Sequence, residues 1–364
     1  MKQKVVVGLS GGVDSAVTAL LLQEQGFEVA GLFMQNWADD DDGYCTAAED
    51  FQAARGVADE LGIALHKVDF SARYNEQVFA QFLAAYRAGR TPNPDVLCNR
   101  EIKFSPFTDH ARRLGASHVA TGHYAALEHG DAGPRLRSAL DQNKDQTYFL
   151  CMVPGTAFRD VLFPLGGLRK AQVRAKALAA GLPNHQRKDS TGICFIGERN
   201  FREFLAQHLA DAQGAIVDER GHKLGEHPGL HHFTLGQRRG LAIGGRADAA
   251  EAPWYVIGKE FQRNQLVVAQ DVQHPRMMCQ ALRTEACNWI SGTAPSPGPV
   301  QVRIRHRQAL QAAHFQPCDD GIEIHFEQAQ RAAVCGQIAA LYRDGICLGG
   351  GEICRVQNLE GRYV

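Results

Sequence analysis

The sequence has no apolar run approaching the roughly 18–20 residues a membrane helix needs, which excludes an α-helical membrane span. Its ten cysteines in 364 residues are scattered and include no CxxC pair, which excludes a small disulfide-stapled scaffold and a paired-cysteine zinc ribbon. There is no HExxH and no clustered His ligand pattern, so no structural zinc site is expected and no metal is assigned to protein ligands. Charge of one sign is absent too. The formal net charge is −1, so any nucleic-acid binding must use local basic patches rather than a global field. The N-terminus runs straight into a strand pattern, with no secretory leader expected. Internal repeats and low-complexity tracts are lacking. What remains is the profile of a cytoplasmic globular protein, 45% hydrophobic, long enough for two or three domains.

Against that background one stretch carries most of the information. Val5-Val6-Val7 leads into Gly8-Leu9-Ser10-Gly11-Gly12-Val13-Asp14-Ser15, and an apolar helix-compatible run follows. The pattern is strand, small-residue turn, helix start. Gly11 and Gly12 let a backbone approach an anion closely, and Ser10 and Ser15 add hydroxyl donors. A helix N-terminus adds unpaired N–H groups and partial positive charge. The turn is neither a Walker A loop nor a G-x-G-x-x-G fingerprint.

The chain then alternates. Strands are expected at 4–9, 28–34, 64–69 and 117–121, and helices at 14–26, 46–61, 72–89 and 105–114. This order predicts a parallel sheet covered by helices on both faces. Ligands to such a sheet bind at the carboxyl ends of the strands, where Ser10–Ser15 lies. Helical patterns recur at 170–181 and 199–210. After about residue 212 glycines become frequent and strands short. Turns are expected at 218–221 and 343–345, and a linker or long loop at 291–299. The expected division is a catalytic α/β domain over 1–211, a central β-rich domain over 212–280 and a C-terminal β-rich domain over 281–364.

Three further stretches could carry chemistry. In Thr91-Pro92-Asn93-Pro94-Asp95-Val96-Leu97-Cys98-Asn99-Arg100, two prolines one residue apart predict an extended, rigid loop. It presents Asp95 for general acid–base work, Asn93 for an amide-like edge and Cys98 as a nucleophile. In Lys188–Gly197, two glycines bracket Cys194, which suggests a sulfur-transfer partner for Cys98. Thr121-Gly122-His123-Tyr124 follows a strand, where Gly122 would admit a nucleotide ring and His123 is either a substrate contact or a structural histidine. Lys144-Asp145-Gln146 fits a helix start or a substrate contact, and Met34 fits an adenine pocket or the core. Strand alternation at Arg303-Ile304-Arg305-His306-Arg307 would set three arginines on one face, as a phosphate backbone requires. A second basic group is Gln237-Arg238-Arg239.

Taken in one order, Ser10–Ser15, Gly31–Met34, Ala88–Asp95, Cys98–Phe104, Ala120–Tyr124, Asp189–Phe195 and Thr234–Leu241 resemble the bacterial tRNA-specific 2-thiouridylases, members of the ATP pyrophosphatase superfamily. The resemblance extends to Leu348–Gly351 and so covers essentially the whole chain. It implies an adenine nucleotide alpha hydrolase-like α/β domain followed by two small β-rich domains, the last a β-barrel. It also implies ATP-dependent 2-thiolation of the wobble uridine, position 34, through an adenylated tRNA and a cysteine persulfide. Carried over by position, Gly8, Leu9, Ser10, Gly11, Gly12, Val13, Asp14, Ser15, Met34 and Gly122 would bind ATP, with Mg2+ accompanying it. Cys98 would be the nucleophile, Cys194 the persulfide carrier and Asp95 the proton-transfer group, with a Cys98–Cys194 disulfide closing the cycle. Asn93, Pro94 and Asp95 would meet the target base, and His123, Lys144, Asp145, Gln146, Arg305, His306 and Gln337 the tRNA. His306 stands where the family often has Tyr, and Cys335 where Pro often precedes Gly336-Gln337. The implied partners are tRNA, with Lys, Glu and Gln acceptors, and a persulfide donor of a sulfur relay. The cysteine spacing does not resemble a ferredoxin motif, so an iron–sulfur cluster stays an open alternative rather than an expectation. Two rival readings are a small-molecule adenylating ligase and a nucleotide sensor, neither of which needs the cysteine pair.

Overall fold

A computed structural model describes residues 2–37, 47–130, 133–189, 201–243 and 252–363. The first strand, β1 (Lys4–Gly8), is the centre of a five-stranded parallel sheet. Its Val5, Val6 and Val7 are fully buried, as an uninterrupted β-branched run requires when helices cover both faces. β2 (Glu28–Gln35) and β3 (Leu65–Asp69) add on one side. On the other side lie β4 (His118–Ala120) and the short strand Val161–Leu162. Chain order therefore reverses between β1 and β4, where Val7 pairs with Ala120, and a crevice opens beyond their carboxyl ends.

One face of this sheet packs on α1 (Val13–Glu24) and the helix Lys170–Ala179, with Val5, Val7, Ala16, Val17, Val173 and Ala177 in a single cluster. The other face joins Val6 and Leu32 to Phe79, Phe82, Ile102, Phe107 and Phe204. Burial of each such side chain contributes roughly 1.5–3 kcal/mol.

The stretch expected as an extended loop is helical from Pro94. Pro94–Cys98 forms an α-helical turn, and Asn99–Lys103 continues it with π-type geometry. The expectation fails because proline is tolerated at the first helical position, where its missing N–H has no intrahelical partner. Asn93 supplies the cap, its side chain accepting from the Val96 N–H at 3.3 Å.

Two β-rich units follow. The central one is a four-stranded sheet ordered 255–260, 265–269, 214–217, 223–227. The last is a closed six-stranded barrel, in which Met278–Thr284 pairs with both Gly321–Arg331 and Ile346–Asn358. Its first strand starts at Met278, ahead of the 280/281 boundary expected from sequence. Leu282, Val302, Ile324, Leu341 and Ile353 fill the interior. The hairpin Ala125–Gly130 and Gly133–Ser138 leaves the first domain and pairs with the barrel through Arg137 and Ile346.

Candidate active site

The turn after β1 is held in shape by its own serines. Ser15 Oγ donates to the Gly12 carbonyl at 2.9 Å and accepts from the Ser10 N–H at 3.2 Å. The two hydroxyls lie 3.3 Å apart. Gly11 has φ +79, and a Cβ there would stand 2.5 Å from the Asp50 carbonyl, so only glycine fits. The Gly11 carbonyl accepts from Asn184 Nδ2 at 2.9 Å and Arg187 at 3.2 Å. Leu9 and Val13 are buried, so only their backbone can serve a ligand. Residues 8–12 also fit the letters G-x-S-x-G, but Ser10 has no left-handed backbone and its hydroxyl neighbours are Ser15 and the Gly12 N–H. It is not a nucleophile elbow.

Around this turn stands a charge network that sequence reasoning missed. Lys170 Nζ donates to both Asp14 oxygens, at 2.7 and 2.8 Å, and to Asp189 at 2.7 Å. Asp189 also accepts from Lys144 at 2.6 Å and Arg174 at 2.9 Å. Although burial opposes it, Lys144 and Lys170 pull the Asp189 carboxyl down to about 2. Tyr124 donates to Asp14 at 2.9 Å, and Arg187 pairs with Asp50. Lys144, Lys170, Arg174 and Arg187 thus converge beside a helix N-terminus. That arrangement suits a polyphosphate, with carboxylates balancing the charge in its place. The only local sequence signal was the helical pattern at 170–181; the convergence itself is tertiary.

Gly122 sits where expected, just past the end of β4. A Cβ there would lie 2.8 Å from the Ser15 N and 2.9 Å from the Asp14 carbonyl carbon. Its missing side chain admits the N-terminus of α1. His123 is buried, with Nδ1 2.7 Å from Thr121 Oγ1 and its ring against Phe104 and Phe163. Burial, with Lys103 nearby, holds it well below the usual imidazole range. It is therefore a buried ring that stays neutral near neutral pH. Met34 is half-buried at the end of β2, packed beside the second cluster.

Cys98 ends the Pro94–Cys98 turn and is buried with Phe79 and Ile102. Asp95, one turn earlier, is desolvated, which raises its carboxyl above the ordinary range against the pull of Lys103. Arg100 is engaged by Glu101 at 2.6 Å. Phe107 beyond this segment packs on Gly8 of β1, so the cysteine segment and the turn share one end of the sheet. Cys194 lies outside the described residues. No disulfide joins two described cysteines.

The remaining positions divide. Gln146 accepts from the Tyr124 N–H at 2.9 Å. Asp145 is not at the surface: it is fully buried, paired with Arg303 at 2.9 Å, and accepts from Thr147 and from the Ala139 N–H. The expected arginine stripe is accordingly absent. The strand ends at Arg303, which turns inward to Asp145 beneath Tyr342, and 304–307 form a turn with Arg307 at φ +65. Arg305 donates to the Ala332 carbonyl. His306 lies half-buried on Phe149, centroids 4.4 Å apart. Gln337 Nε2 donates to the Thr91 carbonyl at 2.9 Å, and Gly336 leaves room for the Thr91 backbone. The barrel thereby braces the cysteine segment, as do ion pairs from Arg90 to Glu285 and Glu352.

A family model described as tRNA methyl transferase HUP domain matches residues 3–198. Models described as tRNA methyl transferase PRC-barrel domain and Aminomethyltransferase beta-barrel domain match residues 202–270 and 279–353. The tRNA-specific 2-thiouridylase MnmA of Verminephrobacter eiseniae is 52% identical over 363 residues, covering 97% of this chain and 98% of that protein. The protein of that description from Chromohalobacter salexigens is 51% identical, covering 98% and 93%. That from Methylococcus capsulatus is 48% identical, covering 100% and 99%.

Proposed function

The chain belongs to the tRNA-specific 2-thiouridylase family, and from that premise we propose that it uses ATP to replace the 2-oxygen of the tRNA wobble uridine, position 34, with sulfur. The observation that carries this reading is one end of the sheet, where a cation-lined anion turn follows the central strand and Phe107, just past the buried cysteine segment, packs on Gly8 of that strand. A uracil carbonyl oxygen is a very poor leaving group. Attack of that oxygen on the α-phosphorus of ATP forms an O–P bond and releases pyrophosphate, after which AMP can leave from C2. Lys170, Arg174, Arg187 and the first-turn N–H groups of α1 stabilise the charge that grows on the departing pyrophosphate. Mg2+ arrives on the ATP phosphates. The turn offers it one carboxylate, Asp14, already paired with Lys170, so phosphate and water supply most of its ligands.

Sulfur comes from a persulfide on Cys194, charged by a sulfur-relay donor protein. Either the terminal sulfur attacks C2 and Cys98 then cleaves the S–S bond, or Cys98 attacks first and frees sulfide, which adds to C2. In both routes the sulfane sulfur is reduced and Cys98 and Cys194 are oxidised to a disulfide, which an external thiol must reduce. Asp95, whose carboxyl burial holds above the ordinary range, moves the proton. The target base sits in a single-stranded loop, so extruding it costs only a few kcal/mol. Asn93 and Pro94 border its pocket. Lys144, Gln146, Arg305, His306 and Gln337, the half-buried members of the tRNA set, face the RNA, with tRNAs for Lys, Glu and Gln as substrates in the cytoplasm.

The test is tRNA-dependent pyrophosphate release measured alongside sulfur incorporation. Cys194→Ser should abolish incorporation and retain pyrophosphate release. Normal thiolation by that variant overturns the persulfide role. Pyrophosphate release that needs no tRNA and persists unchanged in Cys98→Ser and Cys194→Ser would point to the small-molecule ligase reading instead.

A further inference from the structure

Away from the site just described, the central β-rich unit holds an unusual group of histidines. Asp211 lies in the link between the helix Phe201–His208 and the strand Gly214–Val217. His231 and His232 form a single 3-10 turn, Leu230–His232, beyond the strand Lys223–His227. Both imidazoles aim Nε2 at the same carboxylate oxygen. His232 Nε2 is 2.7 Å from Asp211 Oδ1 and His231 Nε2 is 3.2 Å from it. The side chains of His231 and His232 are only 13% and 3% exposed. Their rings are 4.0 Å apart, tilted by 45°. Gly229 makes the approach possible, since a Cβ there would stand 2.7 Å from His231 Cε1.

Protons alone satisfy this arrangement poorly. His232 Nε2 is bonded to Asp211, yet His231 Nε2, aimed at the same oxygen, is left buried without a well-formed hydrogen bond. A buried polar atom without a partner costs about 1–3 kcal/mol. One ligand atom from each of Asp211, His231 and His232 lies within 4.8 Å of the others. In a tetrahedral zinc site with bonds of about 2.0–2.1 Å, neighbouring ligand atoms stand about 3.3 Å apart. The 3.2 Å edge already has that length, and the 2.7 Å edge needs a small opening.

We infer that Asp211, His231 and His232 form a binding site for a divalent transition-metal ion of the zinc class. Two neutral imidazoles and one carboxylate are an acceptable zinc set, and the half-exposed side of Asp211 leaves a fourth position to water. An ion here would clip the chain entering the central unit to the turn beside its sheet. It is remote in sequence from Cys98 and does not depend on the thiolation reading. Adjacent histidines and an aspartate twenty residues earlier match no familiar ligand spacing, so no local pattern announces the site.

The probe is zinc alone, added to the full chain after chelation and followed by equilibrium dialysis, with cobalt(II) as the spectroscopic substitute. One equivalent per chain should bind at neutral pH and be released as the imidazoles protonate. The cobalt form should show a visible d–d band without sulfur-to-metal charge transfer, which separates this site from the scattered cysteines. Asp211→Asn, at an exposed position, should weaken binding by about tenfold or more, the scale seen when a site loses one polar partner. His231→Gln with His232→Gln should abolish it. No stoichiometric zinc in the wild type, full stoichiometry in the Asp211→Asn protein and the folded double variant, or a thiolate charge-transfer band each overturns the site.

Discussion

Replacing Arg303 by Met tests whether the basic stripe read from sequence is an RNA contact or a core element. The Arg303 and Asp145 side chains are 5% and 0% exposed and meet at 2.9 Å. Removing the guanidinium leaves a carboxylate inside the protein, and breaking such a buried pair costs about 3–5 kcal/mol. Asp145 keeps its bonds from Thr147 and the Ala139 N–H, which places the loss near the lower end, about 3 kcal/mol. Arg303 also lies over the Tyr342 ring at 5.5 Å, a contact that Met replaces only in part. With a denaturant slope of about 1.5 kcal/mol/M for a small domain, the urea midpoint should fall by roughly 2 M. Trp289, packed on Phe315 in the barrel, provides the fluorescence signal. Asp145→Asn combined with Arg303→Met should recover much of the loss, because no unpaired charge then remains. An unchanged midpoint, together with weaker tRNA binding and a shallower salt dependence, would refute the buried-pair reasoning and restore Arg303 as a phosphate contact.

Two other outcomes follow from the geometry. Gly122→Ala places a methyl against the α1 backbone, 2.8 Å from the Ser15 N. It should cost about 1–3 kcal/mol and raise the KM for ATP by displacing the turn; unchanged stability would show that the junction has slack. Asp95 has its carboxyl raised by burial, so the folded protein holds that proton more tightly than the unfolded chain does. Its ionisation costs stability as pH rises through the raised value. If it is the base, the acid limb of the thiolation rate should lie above the ordinary carboxylate value of about 4. Asp95→Asn should lose both rate and limb, and an unaltered limb would remove Asp95 from proton transfer.

Local chemistry made much of this protein legible. The parallel sheet followed from alternating strand and helix patterns, and the anion turn from Ser10–Ser15, because backbone freedom and helix-start geometry are properties of neighbouring residues. The cysteine segment was found for the same reason. Its conformation was missed, since Pro92 and Pro94 forbid a helix interior but not a helix start, and the Asn93 cap decided between the two.

The sequence by itself determined the element order, the turn and the reactive residue types. Only the tertiary structure decided which charges meet. Lys170 reaches Asp14 across 156 positions and Arg303 reaches Asp145 across 158. Such pairings depend on packing helices and a barrel against one sheet, and no local pattern encodes them. Burial then sets the outcome: the same arginine that alternation places on a nucleic-acid face becomes, once desolvated beside a carboxylate, part of the core.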